Sequence, residues 1–442
     1  MKKYELGVRE FLTKTWLIAA LCLPAGVAQA ESKAGQEVPP GTIIDASTYD
    51  DLKDALFEGK RIGDMILSQK EFRIRNEGAR MELVATQAND NDYRVMQATE
   101  RYKGTAKVDP NTYDIMDYQS GIPFPEIAEN DPAGGAKAIW NLVYGSRTGD
   151  SFHQVINFVF VDADIGVERI QKWWMRRYHM LTRVGANAPM EGDGSIFHRT
   201  LLTAQHPQDV RGIGTFTIRY SDGRLDDTWA YIRTVRRVRR LSGGAWVDTI
   251  GGTDEIQDDI FHFNAYPGWY KNLEIKGKRW VLAPAYSRHP GHEDDGLDAG
   301  DYPGIVSDHA PYWARQDVYQ PREVWIVECI PPEIHPYSKK ILYIQTDNWY
   351  PQIMDAWDKK GEYWKWSDIG WFPAPVQDGF IDPESGKVDI MMAPGWASFI
   401  DYQRRHATHT VLGGKNGTET YSYVPGAQAS DYSLTALEEG GR

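Results

Sequence analysis

The alternation of apolar and polar positions predicts three consecutive strands in residues 323–366. They lie at residues 323–330, 339–346 and 362–366, and each run is rich in β-branched and aromatic side chains. Proline or a polar turn separates each run from the next, which is typical of antiparallel strands in a meander. We therefore expect a large β-sheet to organise the chain.

Similar β-rich runs occur before and after this meander. They cover residues 71–74, 80–86, 93–102, 152–161, 171–184, 199–204, 215–220, 226–241, 389–395 and 399–412. The alternation within the 226–241 run breaks near Thr234, which predicts two short strands with a bulge or tight turn between them. Residues 272–275 and 279–282 flank a Lys-Gly-Lys sequence, which predicts a hairpin.

Helices are predicted to be few, and one of them has a full set of sequence signals. Asp131 is at its cap, Pro132 at its first helical position and Gly145 at its end, with an apolar stripe between them. Short helices are also expected near residues 47–59, 62–66 and 430–439. The predicted fold class is α+β: a large curved antiparallel sheet, forming an unclosed half-barrel, with a few helices covering or plugging its concave face.

The first thirty residues have the features of a cleavable signal peptide. A basic start is followed by an apolar core at residues 16–23 and by Val27-Ala-Gln-Ala30, which matches a cleavage site. We predict cleavage after Ala30, a flexible leader over residues 31–42 and a single domain over residues 43–442. The predicted location is the periplasm.

Charge and cysteine content exclude several partners and linkages. The chain has 62 acidic and 49 basic residues, a formal net charge of −13. An acidic surface repels nucleic acid, so no nucleic-acid partner is predicted. Cys329 is the only cysteine beyond the signal peptide, so an internal disulfide is excluded, and its apolar strand predicts a buried, inert thiol.

The histidines do not form a convincing metal site. His289 and His292 precede acidic residues and have ligand chemistry that suits zinc, but no zinc-enzyme motif surrounds them, so a polar solvated loop is the favoured interpretation. His406 and His409 are three residues apart on a predicted strand and should lie on opposite faces. No metal and no cofactor are predicted.

Catalysis is not predicted, although one enzymatic alternative stays open. A glycan or lipid hydrolase needs two carboxyl groups at a defined separation, and Glu328 with Asp347 or Glu362 would be the candidates. The chain has neither a Gly-x-Ser-x-Gly elbow before a helix nor a phosphate-binding glycine loop. We predict no catalytic residues and no enzyme.

Aromatic and arginine residues on the predicted sheet are the candidate ligand-binding residues. Aromatic side chains on a concave face would hold an apolar ligand, and core packing explains them equally well. Arginines in residues 233–240 would receive a lipid phosphate, a carboxylate or an acidic partner, unless they pair with acids on neighbouring strands. The candidates are Trp229, Tyr231, Trp325, Val327, Tyr343, Trp364, Arg236 and Arg237.

Several stretches resemble the exported family catalogued as domain of unknown function 1329. They are residues 226–231, 236–241, 254–261, 337–344, 355–361 and 431–437. The resemblance implies a fold similar to LolA and LolB, the periplasmic carriers of outer-membrane lipoproteins, with helices plugging an unclosed barrel. It also implies genes beside exporters of the resistance-nodulation-division type. No catalytic residues are established for the family, so the resemblance assigns none to this chain.

The predicted function is therefore that of a non-catalytic periplasmic binding protein or carrier. Its ligand would be a lipid or another hydrophobic molecule, and its partner an exporter or a component of outer-membrane lipid or lipoprotein handling. Two alternatives are a hydrolase that uses strand carboxylates and an adaptor that docks onto an exporter through its acidic surface.

Overall fold

The computed structural model describes residues 33–88, 92–145, 149–185, 189–233, 236–284, 286–414 and 420–440, so the predicted signal peptide lies outside it. Strands β1 to β20 are, in chain order, Ile43–Ile44, Leu56–Phe57, Lys60–Arg61, Arg80–Leu83, Lys107–Val108, Ile115–Met116, Ser151–Asp162, Gly166–His179, Ile196–His206, Gly214–Tyr220, Asp227–Ile232, Arg237–Arg240, Asn272–Ala283, Gln316–Ile330, Lys339–Gln345, Pro351–Trp357, Tyr363–Pro375, Ile390–Asp401, His406–Leu412 and Thr420–Ser422. Helices α1 to α6 are Tyr49–Leu52, Ile62–Met65, Ser68–Asn76, Tyr93–Tyr102, Gly134–Gly145 and Leu434–Gly440.

One large sheet dominates the molecule. Its main path runs β13-β14-β15-β16-β17-β18-β19-β7-β8-β9-β10-β11-β12, and every neighbouring pair in this path is antiparallel. The short strands β1 and β4 join it through one parallel pair between β4 and β14, and β20 pairs with β7. In the described part of the chain β12 and β13 do not pair, so the sheet is unclosed as predicted.

The sheet is strongly curved. Four strands separate β17 from β9, so on a flat sheet these two strands would be about 24 Å apart. Ile369 of β17 and Leu202 of β9 nevertheless line the same cavity, whose unfilled space is about 520 Å³. The predicted curved antiparallel sheet is confirmed.

The two edge strands are consecutive in sequence, and their connection covers the concave face. This connection, residues 241–271, is called the crossing segment below. Asp258 in it contacts Lys340 of β15, whereas Asn264 contacts Arg177 of β8. An unclosed barrel leaves a wide concave face to cover, and here a segment with only short 3-10 turns provides much of the cover.

Helix α5 covers the other part of the concave face, beside β13 and β14. Asp131 caps it: its carboxylate accepts hydrogen bonds from the Ala133 amide at 2.9 Å and from Lys137 at 2.6 Å. Ile139 and Leu142 of the helix share a buried core cluster with β14. The helix predicted from these caps and stripes is confirmed, although it begins at Gly134.

Close approach of α5 to β13 depends on a glycine. A Cβ added at Gly135 would lie 2.2 Å from the Leu273 carbonyl oxygen, which belongs to paired backbone and has little freedom to move. We expect Gly135→Ala to lower the free energy of unfolding by about 1–3 kcal/mol, as overpacking does, despite the better helix propensity of alanine. Urea unfolding measures this, with Gly300→Ala as the control because nothing lies within 4 Å of its added Cβ. Equal effects of the two substitutions would contradict the expectation.

Two predicted strands are helices. Residues 71–74 belong to α3, which packs on the outer face of the sheet through Lys70 and Arg73: Lys70 reaches Asp368 of β17 at 3.0 Å, and Arg73 stacks 4.2 Å from the Trp366 ring centroid. The buried stripe of α3 thus contains charged residues. The pattern of apolar residues alone therefore does not show the helical period. Residues 93–102 form α4. Its N-cap residue is Asp92, whose side chain accepts a hydrogen bond from the backbone amide of Arg94.

Two predictions about the strands also need correction. Residues 272–282 are not a hairpin but the continuous strand β13, in which a bulge around Gly277, at φ +129°, shifts the register with β14. The meander contains an additional strand, β16, which begins at Pro351 and carries Asp355 in its middle. Among the described residues, no helix combines the length and hydropathy needed to cross a membrane.

Candidate functional site

An apolar cavity lies between the crossing segment and the concave face of the sheet. The strands β7, β8, β9, β17, β18 and β19 form one wall, and residues of the crossing segment form the other. About 520 Å³ inside it is not filled by protein atoms, part of it open to solvent, and the centres of water-sized molecules have about 50 Å³ to occupy. The apolar lining includes Ile156, Phe158, Met175, Leu202, Ile250 and Phe399.

One carboxyl group faces this apolar space. Glu255 is 3% exposed and accepts a hydrogen bond from Thr410 Oγ1 at 2.6 Å. Burial raises the pKa of Glu255 to about 8, and the charges of Asp254 and Asp259 act in the same direction, while Thr410 and Lys365 oppose them. The side chain is therefore mainly neutral at pH 7, and the wall of the cavity bears no net charge there.

The crossing segment is anchored before Glu255 by Asp254. Its carboxylate accepts hydrogen bonds from His406 Nδ1 at 2.5 Å, Thr408 Oγ1 at 2.8 Å and Arg404 Nη1 at 3.0 Å. Burial by itself would lower the pKa of His406, but Asp254 raises it above the usual value. These contacts connect the segment to β19 and to the turn before it.

A second anchor, fully buried, follows Glu255. Asp258 accepts hydrogen bonds from Lys340 at 2.7 Å, Tyr270 at 2.5 Å and His335 at 3.2 Å. Burial raises the pKa of Asp258, but Lys340 and His335 outweigh burial and hold it well below its ordinary value. Asp258 is therefore a buried carboxylate paired with a buried ammonium group. The crossing segment is thus anchored both before and after Glu255, the residue that faces the apolar cavity.

A polar cavity adjoins the apolar one. It lies between β8 to β11 and the crossing segment, has about 720 Å³ of unfilled space, and offers about 170 Å³ to the centres of water-sized molecules. Ile260 lines both cavities, so the two spaces are neighbours at this side chain. The polar lining includes Arg177, Arg219, Thr200, Thr217, Thr228 and Gln257.

The two arginines of the polar cavity differ in their partners. Arg219 makes a bidentate pair with Asp226 at 2.5 and 2.7 Å and donates to the Asn264 carbonyl at 2.7 Å. Arg177 donates from Nε to Thr200 Oγ1 at 2.9 Å and from Nη2 to Asn264 Oδ1 at 3.2 Å, both neutral acceptors. Burial lowers the pKa of Arg177 to about 9, and Arg219 contributes to this. Arg177 still carries its charge at neutral pH.

The predicted ligand-binding residues of the meander lie on different surfaces. Trp325 and Val327 are neighbours on the concave face, where both pack in the core under α5. Tyr343 is on the outer face, because it pairs in register with Ile326 rather than with Trp325. Trp364 is half-buried, with its ring centroid 5.4 Å from that of Tyr337. The structure therefore brings together only the first two.

The other four predicted residues lie near the far edge of the sheet. Trp229 and Tyr231 pack with Leu437 of α6. Arg236 and Arg237 are exposed at the start of β12. None of the eight predicted residues lines the apolar or the polar cavity within the described chain. Their contact with a ligand stays a prediction. The alternative prediction was that these arginines pair with acids on neighbouring strands. Arg240 does so, because it contacts Asp227 of β11.

The carboxylates of the hydrolase alternative are engaged or exposed. Glu328 lies between Lys276 at 3.2 Å and Lys339 at 3.8 Å. Asp347 is exposed and is 3.9 Å from Arg322. Glu362 is also exposed. Nothing in these positions favours the paired geometry that hydrolysis of a glycosidic bond needs.

Histidine and cysteine positions agree with the sequence predictions, with one exception. His406 binds Asp254, whereas His409 bonds to Ser398 at 2.8 Å on the opposite face of β19, as predicted. Burial raises the pKa of the Cys329 thiol, in agreement with an inert side chain. His292, however, is buried rather than solvated. Among the described residues, no group of three or more histidines, cysteines or acids has an arrangement that would hold a metal ion.

Glu255 and Arg177 were missed as candidate residues, although the sequence contains a signal for one of them. Arg177 follows Trp173 and Met175 at a spacing of two, so the period of a strand places a charged residue on an otherwise apolar face. Glu255 belongs to an acidic run that does not by itself distinguish a buried carboxyl from a solvated one. Its position could be found only from the fold.

Comparison with known proteins decides the family. The family model described as protein of unknown function (DUF1329) matches residues 44–438. The chain belongs to the DUF1329 family. An uncharacterized protein of Pseudomonas aeruginosa is 22% identical over 370 residues, which cover 78% of this chain and 71% of that protein. The resemblance stated from the sequence motifs is thus confirmed at the level of the family.

Solved structures include another DUF1329 protein. The one from Desulfovibrio piger has 14% identity and a TM-score of 0.42, covering 66% of this chain and 93% of its own. A domain from Vibrio parahaemolyticus, provisionally described as an outer membrane lipoprotein-sorting protein domain, has 13% identity and a TM-score of 0.44, covering 69% and 98%. A LolA superfamily protein from Nitrosomonas europaea has 10% identity and a TM-score of 0.37, covering 66% and 94%.

Proposed function

We propose that this DUF1329 protein is a non-catalytic periplasmic binding protein or carrier that holds a hydrophobic molecule in the apolar cavity. The observation that supports it is the cavity itself. Side chains such as Phe158, Met175 and Phe399 converge on one space from neighbouring strands. Small-molecule sites are lined mainly by hydrophobic and aromatic side chains, as this cavity is.

The energetics of such a site favour a slim apolar ligand. Burial of apolar surface contributes about 25 cal/mol per Å², so a ligand that buries about 200 Å² gains about 5 kcal/mol before the costs of association. The two anchors at Asp254 and Asp258 hold the crossing segment in place, so the wall is formed before the ligand arrives. A preformed wall reduces the ordering cost of binding.

The cellular part of the proposal follows from the predicted signal peptide. A protein exported to the periplasm would exchange its ligand with a membrane partner. An exporter, or a component of outer-membrane lipid or lipoprotein handling, stays the predicted partner.

Native mass spectrometry and solvent extraction of protein purified without detergent test the proposal, together with binding of the neutral apolar dye N-phenyl-1-naphthylamine. We expect a co-purified hydrophobic molecule and saturable dye binding. Ala397→Leu places a larger side chain in the cavity lining and should weaken dye binding by about ten-fold, equivalent to 1.4 kcal/mol.

Ala374→Leu is the matched control. Ala374 is a buried alanine of β17 that lies in a separate apolar cluster, outside the lining of the cavity. This variant should bind the dye as the unmodified protein does, even if its stability falls. A protein that is repeatedly empty and does not bind the dye, or a loss that is equal in both variants, would count against the proposal.

A further inference from the structure

Within the described part of the chain, the polar cavity contains a buried cation that has no acidic partner. Arg177 of β8 is 7% exposed, and its hydrogen bonds go to the neutral oxygens of Thr200 and Asn264. Among the described residues, no carboxylate forms a salt bridge with Arg177. A buried charge that lacks a counter-charge is costly, and an anion bound beside it removes part of that cost.

The charged groups that face Arg177 do not supply this counter-charge. Asp226 is occupied by its bidentate pair with Arg219. Asp248 also lines the polar cavity, but it is exposed. The pKa of His198 is well below its ordinary value because of burial and the two arginines, so the imidazole is neutral. Among the described residues, the buried groups of the polar cavity therefore include one more cation than anion.

The remaining lining of the polar cavity suits an oxyanion. Thr200, Thr217 and Thr228 present hydroxyl groups along neighbouring strands, and the Gln257 side chain lies on the crossing segment. Hydroxyl and amide groups donate hydrogen bonds to oxyanions, and a guanidinium group does so with its charge. The space beside these groups, about 170 Å³ for the centres of water-sized molecules, is larger than the corresponding space in the apolar cavity.

The polar and apolar cavities meet at Ile260. Ile260 lines both spaces, and Phe261, which lines the apolar cavity, has a φ of +53°. A bulky residue in the left-handed region is strained and persists only where the surrounding structure holds it. Here this part of the crossing segment is held by the Asp258 anchor and by the hydrogen bond between His262 and Ser367 at 2.8 Å. An amphiphile that lies past Ile260 would place its two ends in two chemically different spaces.

We infer that the ligand is an anionic amphiphile, whose carboxylate or phosphate group binds at Arg177 in the polar cavity while its apolar chain lies in the apolar cavity. This inference rests on the proposed function and adds the chemical class of the ligand. The neutral Glu255 at the apolar end does not oppose it. A neutral or cationic amphiphile would leave the buried charge of Arg177 unpaired.

The test compares ligands that share one chain and differ in their head group. Isothermal titration calorimetry of the delipidated protein with decanoate, decyl phosphate and decanol measures the contribution of the anion. We expect at least one of the two anions to bind about ten-fold or more tightly than decanol, which corresponds to 1.4 kcal/mol. The relative affinities of decanoate and decyl phosphate identify which head group the site prefers.

Variants of two neighbouring arginines assign the effect to the polar cavity. Arg177→Met should bind both anions about as weakly as decanol, and Arg177→Lys should retain part of the preference. Arg176→Met is the matched control, because Arg176 is the adjacent residue of β8 and points to the opposite face of the sheet. It should keep the full preference for the anion.

The outcomes separate this inference from the proposed function. If decanol binds as tightly as both anions, or if Arg177→Met keeps the preference, the inference is wrong while the apolar site stands. If none of the three ligands binds the unmodified protein, the proposed function and the inference both fail. Even if Arg177→Met does not fold, comparing the three ligands in the unmodified protein tests whether the site prefers an anionic head group.

Discussion

Replacing Lys340 by methionine is expected to lower the free energy of unfolding by about 3–5 kcal/mol. Lys340 is completely buried in β15 and donates to Asp258 at 2.7 Å and to the His262 carbonyl at 3.0 Å, while Asp259 lies 3.7 Å away. Methionine fills similar space but leaves the buried Asp258 carboxylate without its ammonium partner. Its remaining donors are Tyr270, His335 and the Asn264 backbone amide. Removing one partner of a buried ion pair is strongly destabilising because the other charge is left uncompensated, and urea unfolding at pH 7 measures the loss.

The neighbouring lysine offers a direct control for this prediction. Lys339 is partly exposed, and its nearest carboxylate, Glu328, is 3.8 Å away. Lys339→Met should therefore change stability by about 0–1 kcal/mol, as is usual for surface pairs. The double variant Lys340→Met/Asp258→Asn should recover much of the loss, because it leaves no unpaired buried charge. Similar losses in the two single lysine variants would show that Asp258 does not depend on Lys340.

Glu255→Gln is expected to change how stability depends on pH. The pKa of Glu255 is about 8 in the folded protein and near 4.5 in the unfolded chain, so folding favours its protonated form. Its contribution to stability is complete below about pH 4.5 and is lost as the pH rises towards 8. Over this window the free energy of unfolding should fall by up to about 1.4 kcal/mol per pH unit from this group alone.

Glutamine cannot ionise, so the variant should lack this part of the pH dependence. Urea unfolding should be measured at pH 5, 6, 7 and 8. At each higher pH, the free energy of unfolding of the variant should increase relative to that of the unmodified protein. Other buried acids whose pKa is raised, such as Asp355 at about 6, are present in both proteins and cancel in the comparison. Glu333→Gln changes an exposed site, so its free energy of unfolding should depend on pH in the same way as that of the unmodified protein over this range. Parallel curves for Glu255→Gln as well would mean that this carboxyl is ionised inside the cavity.

The elements that were predicted correctly have local signals. The helix that became α5 has its cap residue, its apolar stripe and its terminal glycine within fifteen residues, and the strands β7, β8 and β14 repeat apolar residues at a spacing of two. Helix α3 lacked such signals because its buried face includes Lys70 and Arg73. These charged residues are buried only because Asp368 and Trp366, almost three hundred residues later, provide a partner and an aromatic face.

Candidate residues for binding were harder to predict than strands. Aromatic content pointed to Trp325, Trp364 and Trp229, but aromatic residues are equally suited to core packing, and the structure places these three in separate environments. Whether an arginine is a surface charge or a buried one depends on what lies opposite it. For Arg177 that is Asn264, from a segment that follows β12 and returns across the sheet.

By itself, the sequence determined the class of fold, the presence of a single cysteine after residue 30 and the resemblance to the family, because residue spacing, cysteine count and motifs are properties of the chain in order. Only the tertiary structure decided that residues 241–271 cross the concave face and that Glu255 faces an apolar space. It also decided that Arg177 lines the adjoining polar cavity, where no carboxylate of the described residues forms a salt bridge with it. The physical reason is that a cavity is formed by residues distant in sequence. The pKa of a group, and whether its charge is paired, depend on those neighbours rather than on the residues next to it in the chain.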